Sequence, residues 1–99
     1  MNLTFHPAVE RDVKAILAYY HKEGGKPLAD RFFSELQARF VEIAEHPTRF
    51  PYYLGDRILR RATLHKFPHL ILFRILPDSI RVSVVKHEKR HPNYGLWRN

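Results

Sequence analysis

The apolar pattern of this chain changes from a helical to an extended period near its middle, and that change limits what it can fold into. In the first half, Val9, Val13, Ile16, Leu17 and Tyr20 recur at helical spacing, while Glu10, Arg11, Asp12 and Lys14 fill the other face. Pro7 suits a first helical turn, where its missing N–H costs nothing. Gly24-Gly25 supplies the left-handed backbone on which a helix often ends. Pro27 opens a second segment with a stripe of Phe32, Phe33, Leu36, Phe40, Ile43 and Ala44, and His46-Pro47 stops it. Asp30, Glu35, Arg39, Glu42 and Glu45 lie mostly off that stripe. Two amphipathic helices with a short glycine link read as an antiparallel hairpin, and the phenylalanine stripe reads as core.

After Pro51 the period becomes two. Arg57 to Leu64 reads as a strand of interleaved arginine and apolar residues. Leu70 to Leu76 is a second strand, Pro77-Asp78-Ser79 a turn, and Ile80 to Lys86 a third strand. In this last strand Ile80, Val82 and Val84 are expected on one face, and Arg81, Ser83 and Val85 on the other. Leu3-Thr4-Phe5 supplies a short N-terminal segment. The expected architecture is α+β and two-layered: an N-terminal strand, then a helix hairpin packed on a curved antiparallel sheet, in the order β-α-α-β-β-β. Residues 1–99 read as one domain with a basic, aromatic tail over 87–99. Within that tail Trp97 reads as packing the tail down.

Charge narrows the function. Residues 1–50 carry seven basic and seven acidic side chains, whereas residues 51–99 carry ten basic and three acidic ones. The whole excess of +7 therefore lies in the strand-rich half, as expected of a chain that meets an anionic partner. With no cysteine there is no disulfide scaffold, thiolate metal site or cysteine nucleophile. No apolar run approaches the ~20 residues of a membrane span, and the N-terminal residues do not read as a signal peptide. A cytoplasmic location is expected.

Several chemistries drop out. Seven histidines raise the question of a metal, but no H-E-x-x-H helix occurs, and Pro68 separates His65 from His69. His65 and His69 read as framing a turn. Only Asp56, Asp78 and Glu88 follow residue 50, too few carboxylates for a two-metal nuclease. No P-loop is present. Neither a metal nor another cofactor is expected. What remains is a basic cluster: Arg57, Arg60 and Arg61 at the first long strand, Arg74 and Arg81 on the next two, then Lys86, His87, Lys89, Arg90 and Arg98. Such a patch suits binding of an anionic partner or metal-independent RNA cleavage. In the latter a histidine exchanges the proton and arginines hold the phosphorane. On that reading His87, Arg61, Arg81 and Tyr94 are the catalytic candidates.

The segment Phe67-Pro68-His69-Leu70-Ile71-Leu72-Phe73-Arg74-Ile75, followed by Ile80-Arg81-Val82-Ser83-Val84-Val85-Lys86-His87-Glu88-Lys89-Arg90, resembles the RelE/ParE toxin superfamily. Glu10-Arg11-Asp12 with Tyr19-Tyr20, Ala29-Asp30-Arg31-Phe32, Phe50-Pro51 and Arg60-Arg61 extend the resemblance over essentially the whole chain. It implies the toxin half of a type II toxin–antitoxin pair, with an acidic antitoxin that is partly disordered until it wraps the toxin. RelE-like members cleave messenger RNA on the translating ribosome, and ParE-like members inhibit DNA gyrase. His87 and Arg61 match the superfamily's histidine and arginine positions, and Arg81 matches the arginine on the last strand. Glu88 stands where a catalytic tyrosine would follow, and the linker from Thr48 to Asp56 has no lysine. These departures, with the ending His87-Glu88-Lys89-Arg90, place the chain closer to ParE-like members. A non-catalytic antitoxin-binding module is a third reading.

Overall fold

The computed structural model describes residues 1–98. Its elements are β1 (Asn2–Phe5), the helix α1 (Ala8–Glu45), a 3-10 turn (Pro47–Arg49), β2 (Arg60–Thr63), β3 (His69–Ile75) and β4 (Ser79–His87). Where two helices are expected there is one helical segment. Its backbone leaves helical geometry at Gly24 (φ −143°) and Gly25 (φ 72°). A straight helix of 38 residues would be about 57 Å long, yet the longest extent of the protein is 39 Å. The segment therefore bends sharply at the glycine pair, and the Tyr20 and Phe32 rings on either side of the bend lie 5.4 Å apart.

The sheet order is β1-β4-β3-β2. β2 pairs antiparallel with β3 and β3 with β4, but β1 runs parallel to β4, which corrects the expectation of an all-antiparallel sheet. A four-residue strand with no turn to its neighbour carries no sign of its direction. The long connection through α1 is what permits a parallel partner. The first of the long strands is also shorter than expected. The Asp56 carboxylate accepts the N–H groups of Ile58 (2.5 Å) and Leu59 (2.7 Å), which draws this stretch into a turn ahead of β2.

A register shift between Leu72 and Phe73 sets the faces of β4. Leu72 pairs with Val84 and Phe73 with Val82, so Ser83 is the extra residue. Val85 therefore joins Ile80 and Val82 on the helix side, whereas Val84 turns to the outer side with Leu70 and Leu72. Strict alternation misplaced both valines. The main core lies between α1 and the sheet and is built on Phe32, Leu36, Ile43, Ile71, Phe73 and Ile80. A smaller one lies on the outer side, where Tyr53, Leu59 and Tyr94 cover Leu70, Leu72 and Val84.

The tail reaches that outer side through two anchors. Lys86 is buried and donates to the Tyr53 hydroxyl (2.9 Å) and to the carbonyls of His91 (3.0 Å) and Pro92 (3.2 Å). The second anchor closes an edge. β1 pairs with β4 only as far as Val82, which leaves the next residues of β4 without a strand neighbour on that side. There Asp12 accepts the Val85 N–H (3.1 Å), and Arg98 donates to the Ser83 carbonyl (3.2 Å) and to both oxygens of Asp12 (2.6 and 3.1 Å). Gly95 lets the tail approach: its φ is 78°, and a Cβ there would meet a Val84 methyl at 2.6 Å. Trp97, expected to pack the tail down, is instead 71% exposed, because Arg98 and Tyr94 hold the tail in its place.

The Asp12 and Arg98 side chains are each only 4% exposed, so removing one strands the other. Asp12→Ala is expected to lower unfolding free energy in urea titration by about 3–5 kcal/mol. Glu10→Ala, which removes an exposed i,i+4 partner of Lys14, is expected to cost under about 0.5 kcal/mol. Equal effects would show that the edge closure contributes nothing special.

Candidate functional site

Register brings three of the expected cations onto one face. Arg61 pairs with Leu72 and Arg74 with Arg81, and Leu72 faces away from α1. Arg61, Arg74 and Arg81 thus form a diagonal band across β2, β3 and β4 on the outer side. Arg74 and Arg81 are direct cross-strand neighbours, an arrangement of like charges that weakens a sheet unless anions are near. The Arg74 Nε is buried without a hydrogen-bond partner among the described residues. Arg81 donates to the Phe5 carbonyl at 3.0 Å, which ties the band to the end of β1.

The other expected cations divide into surface and structural groups. Arg57, Lys89 and Arg90 are exposed, with the Arg90 guanidinium 4.0 Å over the Tyr94 ring. Arg60 lies over the Tyr52 ring at 4.2 Å and donates to the Phe50 carbonyl. Lys86 and Arg98 are interior anchors rather than contact residues, a correction to their place in the expected binding patch. Their charges look identical to surface charges in a sequence. What buries them is the tail folding back over β4.

The residues expected for catalysis do not converge. His87 pairs across strands with His69 on the helix side of the sheet, opposite to the arginine band, with the two rings 5.2 Å apart. Its Nδ1 accepts the Lys89 N–H at 3.0 Å. The Tyr94 hydroxyl donates to Asp12 (3.2 Å) and accepts from Arg98 (3.1 Å), so it is held in the edge closure. His87, Tyr94 and the arginines therefore share no site at which a histidine and cations could act on one phosphate. Among the described residues no three His, Cys, Asp or Glu side chains group to hold a metal ion.

Two residues gain importance that their sequence positions do not advertise. Asp12 falls on the polar face of its helix by spacing, yet it is buried. His69, read as framing a turn, packs edge-on against Tyr20, Phe32 and His87. The only sequence sign of either burial is the family-like Glu10-Arg11-Asp12 run and the Phe67-Pro68-His69 run. Near the start of α1, His6 is held below its usual value by desolvation and then by the charges of Arg98 and Arg81, with Asp12 pulling the other way.

A bent helix layered on a mixed sheet, with an arginine band on the outer face, defines a small basic α+β protein. The family model described as the ParE toxin of the type II toxin–antitoxin system parDE matches residues 3–92. The chain belongs to that family: it is a ParE-like toxin of a type II system, whose partner is a cognate antitoxin. Among solved structures it is similar to "Chromosomal ParDE TA system from P. aeruginosa", with a TM-score of 0.78 and 17% identity. That likeness covers 88% of this chain and 95% of the other, and it establishes the fold. No curated protein sequence matches.

Burial, and then the neighbouring charge of His87, lower the His69 pKa from 6.5 to about 4. A depressed histidine favours folding above the unfolded value and loses that contribution as pH falls toward the folded one. Between pH 6.5 and 4 the protein is expected to lose at most about 3 kcal/mol of stability through this group. Denaturant midpoints across that window check it, with His69→Leu expected to flatten the decline. An unchanged decline in the variant would assign the acid sensitivity elsewhere.

Proposed function

We propose that this ParE-family toxin inhibits DNA gyrase in the cytoplasm and is neutralised by an acidic antitoxin segment. The observation that carries the reading against a RelE-like, ribosome-dependent and metal-independent endoribonuclease is the separation of His87 from Arg61, Arg74 and Arg81. In-line attack of a ribose hydroxyl needs a proton acceptor within hydrogen-bond reach, with cations on the same phosphate. Here the sheet itself lies between them. Tyr94, the one tail hydroxyl, is committed to Asp12 and Arg98. A protein that acts by binding needs no such convergence.

The family supplies the antitoxin, and the charge asymmetry supplies its sign: the strand-rich half of the toxin is strongly basic, so the segment that covers it is acidic. On this reading residues 1–99 form one toxin domain, and the arms of α1 form an antiparallel hairpin that backs the sheet. Arg61, Arg74 and Arg81, with Arg57, Arg60, Lys89 and Arg90 around them, contact antitoxin or target.

Induction without antitoxin is expected to arrest growth. Purified toxin is expected to block supercoiling by gyrase and to accumulate broken DNA, while messenger on translating ribosomes stays intact. His87→Ala is expected to keep full activity. Cleaved messenger with normal supercoiling would overturn the reading in favour of the nuclease, and absence of growth arrest would favour the binding module.

A further inference from the structure

The hairpin that leads into β2 carries a feature that stability does not explain. Tyr53 accepts the Asp56 N–H through its carbonyl at 2.8 Å, closing a tight turn over Leu54 and Gly55. Both central residues are left-handed, with φ of 47° at Leu54 and 73° at Gly55. A two-residue turn of this kind favours Asn-Gly or Asp-Gly, because asparagine, aspartate and glycine tolerate positive φ. Leucine does not. Leu54 is the single non-glycine residue among those described with positive φ, and it is 62% exposed. It accepts backbone strain and yet is left largely in water.

Hydrogen bonds close the tip, and exposed apolar side chains surround it. Asp56 accepts the N–H groups of Ile58 and Leu59, and the Tyr53 N–H donates to the Leu59 carbonyl at 2.9 Å, so the turn is closed from both sides. Ile58 is 63% exposed, and Tyr52, also exposed, lies under the Arg60 guanidinium. The one acid in the turn spends its carboxylate on the backbone, and hydrogen bonds from Leu59 and then Ile58 lower its pKa. The charges the hairpin shows a partner are therefore those of Arg57, Arg60 and Arg61.

We propose that Leu54 and Ile58 form a preorganised apolar knob that enters a pocket with an acidic rim on the folded target protein. This rests on the reading of a protein target given above and adds the contact element. Strain held in place by fixed hydrogen bonds marks a conformation kept for a purpose other than stability. Apolar side chains presented in their bound geometry lose little freedom on docking. A projecting knob needs a concave partner. A folded enzyme offers cavities, whereas an antitoxin segment that orders on binding offers side chains to the toxin's own grooves. The arginines flanking the knob call for carboxylates around that cavity.

Leu54→Asn separates function from folding, since asparagine suits the left-handed turn position. Its denaturation midpoint is expected to equal or exceed that of the unmodified protein. Ile58→Ser, at an unstrained position, is the second variant. In both, the toxin concentration that half-inhibits supercoiling is expected to rise by about ten-fold or more, and growth arrest to weaken in step. Affinity for the antitoxin, read by calorimetry, is expected to change less than about two-fold. Variants that inhibit and arrest growth like the parent would overturn the knob, as would a parallel loss of antitoxin binding. If the parent arrests growth but leaves gyrase untouched, the target reading falls. The knob then stands or falls on growth arrest alone: weakened arrest supports it, and full arrest removes it.

Discussion

The buried contact between Asp12 and Arg98 is the constraint on which the arrangement of layers depends. β1 is too short to cover the length of β4, so peptide groups beyond Val82 would otherwise face the interior without partners. A carboxylate from α1 takes the N–H of Val85, and a guanidinium from the tail gives its protons to the Ser83 carbonyl and to that carboxylate. One interaction thus joins the helix, the sheet edge and the C-terminal tail. A buried ion pair is seldom a large source of stability against an apolar replacement, but it is specific. Here it places the tail on one side of β4.

That placement has consequences for chemistry. Once Tyr94 and Arg98 serve the edge, and Lys86 holds the tail carbonyls, they cannot also serve a phosphate. Of the cations expected in the binding patch, those that remain at the surface lie on the outer face, on the hairpin before β2 and in the tail. His69 and His87 lie on the helix side, at the far end of β4. A sheet is an effective separator: residues on its two faces are held apart however close they stand in sequence. The arginine band and the histidine pair therefore stand on opposite faces of the sheet, and the histidine pair is a packing feature.

The helical and strand segments were legible in sequence because they depend on local terms. Apolar spacing marks both arms of α1, glycine marks the bend, and proline marks the end. The Phe67-Pro68-His69 and Arg81-to-Arg90 runs were enough to suggest the family. Three features could not be read that way. The parallel direction of β1 depends on a partner 77 residues away, as in the pairing of Asn2 with Ser79. The exchange of faces by Val84 and Val85 depends on one extra residue at Ser83, whose position is set by packing on both sides of the sheet. The burial of Asp12, Lys86 and Arg98 depends on where the tail lies. A charge has the same letter whether it meets water or a carboxylate, and only the folded chain decides which. The sequence by itself determined the elements and the sign of the charge. Tertiary structure decided which charges are free to act, because burial and pairing are properties of the assembled chain.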